Sequence, residues 1–281
     1  MARSAGLPRS TFEALLKLRA AARRGAGAVG RWPLAARAIR PVFEARVGTC
    51  WGVFGTFAEA AAAAPRSRPV GYDNQAAAGL YRDLVGQVEP KDYAVAFWLQ
   101  RRLKPGNRVF DFGGHVGLKF YALQAVLPLP EGVAWVTYDL PAVVAAGCRL
   151  AAERGARGLS FTESFEDASG AEVFMALGSL QYVEAPLARQ LERLQDRPRY
   201  VIVSSTPMSD HPRYVTLQNI GASYCPYLVE NRAELVRGMT ELGYELVHSW
   251  ANPEKRCKIL GRPDRSLEGY TSMHFALAGH A

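Results

Sequence analysis

The sequence predicts an α/β fold in which a mainly parallel sheet of seven strands is covered by helices on both faces. First, β-branched and aromatic runs alternate with helical segments from about residue 105 onward, as in parallel sheets. Second, 281 residues with 49% hydrophobic content are enough for one substantial core. Third, only an irregular, charged segment rich in Pro and Gly joins the last two strands. Parallel neighbours need a crossover, which is usually a helix, and this segment has no helical pattern, so we expect the last strand to insert antiparallel.

Each predicted strand contains a β-branched or aromatic run. The seven strands are residues 108–112, 133–140, 158–163, 171–179, 199–205, 244–250 and 272–279. The first five strands are interleaved with helical patterns, and a further helical pattern precedes the sixth strand. The helices are residues 117–127, 141–155, 185–195 and 231–243.

Helices are also predicted in the first part of the chain. Residues 11–24 form a basic amphipathic pattern, and residues 31–48 predict a short helix interrupted at Pro41. The segment 51–73 is irregular apart from a short Ala-rich helix, and residues 74–103 are helical.

Three parts of the chain follow from these patterns. The first is a basic helical leader, the second a helical cap, and the third a Rossmann-like domain. Their ranges are 1–50, 51–104 and 105–281.

The net charge of +8 arises entirely within the first 46 residues, which hold ten Lys/Arg and two Asp/Glu. The rest of the chain is balanced, which argues against a nucleic-acid surface on the body. The leader is either a solvated arm or a helix that touches an anionic membrane surface. No apolar run is long enough to span a membrane, and no secretory signal is recognisable, so we expect a cytoplasmic protein.

The four cysteines lie far apart and form no C-x-x-C pair. Neither a zinc site nor a disulfide framework is therefore written into their spacing. We expect no metal.

The segment "DFGGHVG", residues 111–117, follows the first strand of the sheet and opens a helix. Such a turn presents backbone N-H groups and the positive end of a helix to a ligand, and glycine lets the ligand approach the bare main chain. The segment resembles the loop D-x-G-x-G-x-G: Asp111, Gly113 and Gly117 match, His115 replaces the middle glycine, and Gly114 is extra.

Asp139 ends the second strand, 28 positions after Asp111. An acid at about this place holds ribose hydroxyls in α/β nucleotide sites. The alternative is a helix N-cap before Pro141. Together with the strand order, the glycine loop and this acid predict an S-adenosylmethionine site.

The chain is similar to a family of class I methyltransferases that is often associated in bacteria with surface-polysaccharide gene clusters. The matching stretches include "WGVFGTFAEA", "VFDFGGHVG", "WVTYDLPAVVAAG", "LGSLQYVEAP", "VTLQNI" and "YCPYLVEN", and they span roughly residues 50 to 250. The resemblance implies S-adenosylmethionine as cofactor, with the glycines along its methionine part, Asp139 on its ribose and residues 161–163 near its adenine. The family usually has an acid and an arginine where this chain has Ser204 and Ser205.

The predicted cofactor contacts lie after the first four strands of the sheet. They are Asp111, Gly113, Gly114, His115, Gly117, Asp139, Leu140, Thr162, Ser179, Leu180 and Gln181. Within this set His115 has two interpretations: its ring either contacts the cofactor or acceptor, or it points to solvent.

Methyl transfer to a hydroxyl benefits from a general base. The candidate catalytic residues are His211, Tyr182 and Tyr214, and His211 is preferred because the pKa of an unperturbed histidine lies near neutrality. The alternative is an exposed loop histidine. The segment 206–230 is predicted to be a long loop, whose tyrosines either stack on an acceptor or pack against the sheet edge.

Three functions remain open at this point. The first is an S-adenosylmethionine-dependent methyltransferase with a small or glycan-linked acceptor. The second is a non-catalytic binding module of the same fold. The third, a nicotinamide-dependent reductase, is disfavoured because the glycine loop does not match G-x-G-x-x-G.

Overall fold

The computed structural model describes residues 32–71 and 84–279. The predicted helix over residues 11–24 lies outside the described residues, as does the first part of the one predicted over residues 74–103. The strands are β1 Cys50–Phe54, β2 Arg108–Phe112, β3 Ala134–Tyr138, β4 Leu159–Thr162, β5 Val173–Leu177, β6 Tyr200–Thr206, β7 Met208–Ser209, β8 Tyr214–Asn219, β9 Tyr224–Asn231, β10 Tyr244–Asn252, β11 Ile259–Leu260 and β12 Tyr270–Leu277. The helices are α1 Trp32–Ala45, α2 Phe57–Ala62, α3 Pro90–Arg102, α4 Leu118–Gln124, α5 Pro141–Arg154, α6 Leu187–Leu191 and α7 Arg232–Glu241.

A seven-stranded sheet of order β10-β12-β6-β5-β2-β3-β4 forms the centre of the protein. The pairs from β6 to β4 are all parallel, whereas β12 is antiparallel to both β6 and β10. The predicted α/β class, the seven strands and the antiparallel last strand are therefore confirmed. The carboxyl ends of β2, β3, β5 and β6 meet at one edge of the sheet, where ligands bind in such folds.

Helices cover both faces of this sheet. One apolar cluster joins α6 and α7 to the face that carries Phe110, Phe174 and Phe275. A second cluster joins α3 and α4 to the opposite face, where Trp135 and Met175 are fully buried. The two cores fix the strand ends that form the candidate site.

A second sheet of five strands, of order β11-β1-β8-β9-β7, was not predicted. The segment 206–230 is not a long loop but holds β7 and the hairpin of β8 and β9, and the segment 51–73 begins in strand β1. A signal for the hairpin was present, because "YVTLQN" and "YCPYLVEN" are two β-rich runs joined by a short connection that contains Gly221.

Helix α1 is also different from the prediction, since it continues through Pro41. A proline in a helix interior removes one backbone hydrogen bond and disfavours the helix by about 3 kcal/mol. The adjacent side chains of Ile39, Val42 and Phe43 are buried against Leu217 and Tyr224 of the second sheet. This packing stabilises the helix on both sides of the proline. No helix in the described parts of the chain is long and apolar enough to cross a membrane.

Candidate cofactor site

The glycine turn lies at the carboxyl end of β2, between the ends of β3 and β5. Gly113 N donates a hydrogen bond to the backbone oxygen of Tyr138 (2.8 Å), which fastens the turn to β3. Gly113, His115 and Gly117 all have positive φ, at 69°, 57° and 83°. Such backbone is easy for glycine and uncommon for other residues, so the turn is tightly specified.

Asp139 faces this turn. Its Oδ2 accepts a hydrogen bond from His115 N (2.9 Å), and its Oδ1 accepts one from Leu140 N (2.8 Å). The N-cap residue of α5 is Leu140, so the alternative interpretation of Asp139 as the N-cap is wrong. Burial raises the pKa of the Asp139 carboxyl, although the two backbone hydrogen bonds favour the charged form and so lower it in part.

The glycines at the turn pack against protein atoms. A Cβ at Gly113 would lie 2.4 Å from Ser179 Cβ, and a Cβ at Gly114 would lie 2.3 Å from Asp111 Oδ2. Ser179 is itself held in place, because its Oγ donates to the backbone oxygen of Phe112 (2.6 Å). Internal packing therefore requires glycine at these two positions, which is a reason that the sequence did not predict; room for a ligand stays a prediction.

Asp111 is buried under the turn, with 1% of its surface exposed. Its Oδ2 accepts a hydrogen bond from Trp135 Nε1 (3.2 Å), whereas its Oδ1 has no hydrogen-bond partner in the described parts of the chain. Burial raises the pKa of this carboxyl to about 7, although the Trp135 hydrogen bond and the charge of Lys119 oppose the shift. Asp111 therefore changes its charge near neutral pH.

The raised pKa of Asp111 predicts a pH-dependent stability. Between about pH 4 and pH 7 the folded protein keeps a proton that the unfolded chain releases, so the free energy of unfolding falls as the pH rises. Asp111→Asn keeps an acceptor for Trp135 and removes the titration. We expect its melting temperature, relative to wild type, to be higher at pH 8 than at pH 5. If the difference in melting temperature between Asp111→Asn and wild type is the same at both pH values, the carboxyl of Asp111 is not buried as described.

Two further buried polar atoms lie near the strand ends, on Thr137, which is the register partner of Asp111, and on Gln181, which follows β5. Thr137 Oγ1 and Gln181 Oε1 are also without a hydrogen-bond partner among the residues described. The Gln181 side chain is fixed, since its Nε2 donates to the backbone oxygen of Gly178 (2.6 Å). Buried acceptors of this kind are rare in proteins unless a water or ligand completes them. The edge formed by β2, β3 and β5 can therefore take up hydrogen-bond donors.

The remaining predicted cofactor contacts have different surroundings. His115 is buried, so the alternative in which its ring points to solvent is wrong. Leu140 is exposed beside Asp139, whereas Leu180 is part of the core. Thr162 Oγ1 at the end of β4 donates to Asp167 (2.5 Å).

The three candidate catalytic side chains lie in or beside the second sheet. Tyr182 donates its hydroxyl hydrogen to Gln218 Oε1 (2.8 Å). Tyr214 is buried and donates to the backbone oxygen of Arg265 (2.5 Å), and burial raises its pKa. His211 is exposed, and its Nε2 lies 3.2 Å from the backbone oxygen of Asp264.

The tyrosines of β8 and β9 are not exposed stacking surfaces. Tyr214, Tyr224 and Tyr227 are all buried, and Tyr224 packs on Phe43 with the ring centroids 5.3 Å apart. The alternative of packing against the protein is therefore the correct one for these three side chains.

Ser204 and Ser205 join neighbouring strands. Ser204 Oγ lies 3.0 Å from Ser272 Oγ, and Ser205 Oγ accepts a hydrogen bond from Asn252 Nδ2 (2.9 Å). Ser205 has a positive φ of 54°. The two serines thus connect β6 to β12 and β10 through a buried polar network.

No group of three or more metal-ligating side chains occurs within residues 32–71 and 84–279.

No family model matches the chain, and no curated protein matches it. Solved structures, in contrast, do match the chain. The magnesium protoporphyrin IX methyltransferase of Synechocystis PCC 6803 with bound S-adenosylhomocysteine has a TM-score of 0.48 and 16% identity, over 74% of this chain and 97% of that one.

A second similar structure is the 1,6-didemethyltoxoflavin-N1-methyltransferase of Burkholderia thailandensis. It has a TM-score of 0.44 and 20% identity, over 67% of this chain and 79% of that one. A methyltransferase from Geobacter sulfurreducens has a TM-score of 0.42 and 14% identity, over 69% of this chain and 93% of that one. These likenesses concern the fold, and the fold assignment itself rests on the strand order described above.

Proposed function

We propose that this protein is an S-adenosylmethionine-dependent methyltransferase of the class I type, with a small or glycan-linked acceptor and a cytoplasmic location. The observation that carries the proposal is the hydrogen bond from His115 N to Asp139 Oδ2. It joins the glycine turn after β2 to the acid after β3. This pairing at adjacent strand ends suits a ligand that contains adenosine. The carboxylate can accept hydrogen bonds from the ribose hydroxyls, and the main chain of the glycine turn lies next to it.

The side chains around the turn fit this cofactor. S-adenosylmethionine carries an ammonium and a sulfonium, and the buried oxygens of Asp111 and Gln181 lack donors within the described chain. Each oxygen of Asp139 accepts one backbone hydrogen bond and has a further lone pair for a ribose hydroxyl. When bound, the cofactor supplies an electrophilic methyl group. In the proposed site Asp139 orients the ribose and the main chain of 113–117 lies along the methionine part.

The acceptor side of the site would be formed by groups that follow β5 and β6. In-line transfer of a methyl group depends mainly on positioning, and a hydroxyl acceptor also needs a base. His211 is the proposed base. If its Nε2 donates to the oxygen of Asp264, Nδ1 is the basic nitrogen of the neutral ring. Tyr182, held by Gln218, is proposed to border the acceptor, and Tyr214 to support the Arg265 backbone.

Titration calorimetry with S-adenosylmethionine, S-adenosylhomocysteine and NADH tests the proposal. We expect saturable binding of the first two and none of NADH. Binding of NADH alone would contradict the proposal and favour a reductase.

A binding module without turnover is the second candidate, and it is favoured by one observation. His115, a buried side chain, occupies the place of the middle glycine of the loop. The two candidates differ in product formation. A module would bind S-adenosylhomocysteine yet leave S-adenosylmethionine unconverted with every acceptor offered, whereas an enzyme would release S-adenosylhomocysteine with one of them.

A further inference from the structure

A cavity of about 500 Å³ lies beyond the carboxyl end of β6, and no residue of the glycine turn lines it. It is bounded by β7, the start of α7 and the loop of residues 264–269. His211 is on its wall, so the cavity adjoins the proposed base. The site proposed for the cofactor does not use it.

Ser209 is the buried polar side chain of this cavity. Only 7% of the residue is exposed, and its Oγ has no hydrogen-bond partner among residues 32–71 and 84–279. Ser209 on β7 is the register partner of Asn231, the N-cap residue of α7. The unsatisfied hydroxyl therefore lies at the positive end of a ten-residue helix, which is a favourable place for an anion.

Two arginines add positive charge to the same wall. Arg232 donates to Thr271 Oγ1 (3.1 Å), and its contact with the Asp210 carboxylate is long, at 3.6 Å. The Arg265 guanidinium lies over the Tyr214 ring, 5.4 Å from its centroid. Its Nε is 3.7 Å from Asp264 Oδ2, beyond hydrogen-bond distance, and is buried without a hydrogen-bond partner in the described chain. Both guanidinium groups can therefore still donate to a ligand.

The carboxylates near the cavity offset these charges only in part. Asp264 accepts two hydrogen bonds from Arg262, at 2.9 and 2.7 Å, and its contact with Arg265 Nε is longer, at 3.7 Å. The side chains of Asp210 and Glu268 are 94% and 87% exposed, so they belong to the solvated rim. Solvent screens exposed charges strongly. The inner wall keeps a hydroxyl, two guanidinium groups and a helix N-terminus.

We infer that this cavity binds an anionic group, a phosphate or a carboxylate, that is carried by the methyl acceptor. The assignment to the acceptor rests on the proposed function, whereas anion binding itself does not. A phosphate accepts several hydrogen bonds at once, and the forked guanidinium of arginine matches both phosphate and carboxylate. The anion would hold the acceptor by one end, next to His211.

Ligand-observed NMR titrations with inorganic phosphate and with acetate, at constant ionic strength, test the inference. We expect at least one of the two anions to bind saturably to the full chain. Arg265→Gln removes a donor to a charged ligand and should weaken that binding about tenfold. Ser209→Ala, a small change at a buried site, should weaken it about threefold or more without loss of fold.

Arg189→Gln is the matched control, because it makes the same charge change at an exposed arginine that pairs with Glu192 outside the cavity. Its anion affinity should equal that of wild type. Failure of both anions to bind, or equal weakening in Arg189→Gln and Arg265→Gln, would overturn the inference. S-adenosylhomocysteine binding measured on the same samples separates the two proposals. If it fails while anion binding persists, the methyltransferase proposal is wrong and the anion site stands.

Discussion

Replacing Gly113 by alanine is expected to lower the free energy of unfolding by about 2 to 5 kcal/mol. The new Cβ would lie 2.4 Å from Ser179 Cβ, and the residue has a φ of +69°. Left-handed backbone costs a residue with a Cβ about 1 to 2 kcal/mol, and overpacking costs a further 1 to 3 kcal/mol or so. Equilibrium unfolding in denaturant measures the difference.

Gly106→Ala is the matched control for that experiment. Gly106 has a similar φ of +77°, but a Cβ there would meet no atom within 4 Å. The control should therefore show the backbone cost alone, about 1 to 2 kcal/mol. If Gly113→Ala costs no more than Gly106→Ala, the turn is not packed against Ser179 as described.

Asp139→Ala is expected to weaken binding of S-adenosylhomocysteine by more than about tenfold, because hydrogen bonds to charged groups contribute about 1.5 to 3 kcal/mol. The substitution also removes the acceptor for His115 N, so the turn loses one of its attachments to β3. Burial raises the pKa of the Asp139 carboxyl, so the substitution removes a charge that is costly to bury, and we expect the fold to remain intact. Calorimetry gives the affinity, and circular dichroism the fold.

Asp139→Asn separates the two roles of this side chain. The amide oxygen can still accept from His115 N, whereas the negative charge is gone. We expect a loss of affinity smaller than that of Asp139→Ala. Unchanged affinity in both variants would remove Asp139 from the site.

The seven-stranded sheet was predictable because its information is local. Each strand is a short apolar run bounded by turns, and helices of regular period separate most of them. The antiparallel last strand followed from the irregular segment between β10 and β12. These patterns depend on residues close together in the sequence.

The second sheet was not predictable in the same way. Its strand β1 pairs with β8, so Cys50 lies opposite Gln218, and β11 then pairs with β1. Strands of two to five residues, such as β7, β11 and β1, carry little periodicity, and their partners lie far away in the chain. Buried tyrosines such as Tyr227 were consequently placed in a loop.

The candidate site was predicted in its residues but not in its contacts. The sequence places Asp111, the glycines and Asp139 at adjacent strand ends. It does not show that Gly113 packs on Ser179, a residue 66 positions away, or that Gly114 packs on the Asp111 carboxyl. The first contact depends on which strands become neighbours and the second on the exact conformation of the turn, so the reason for each glycine emerges only with the fold.

Hydrogen exchange measured by mass spectrometry, with and without S-adenosylhomocysteine, tests the central claim most directly. The claim is that the main chain of 113–117 and the carboxylate of Asp139 hold the cofactor. We predict slower exchange in the peptides that contain residues 112–118 and 138–141 when the ligand is present. Protection confined to other segments, with these two unchanged at saturating ligand, would contradict it.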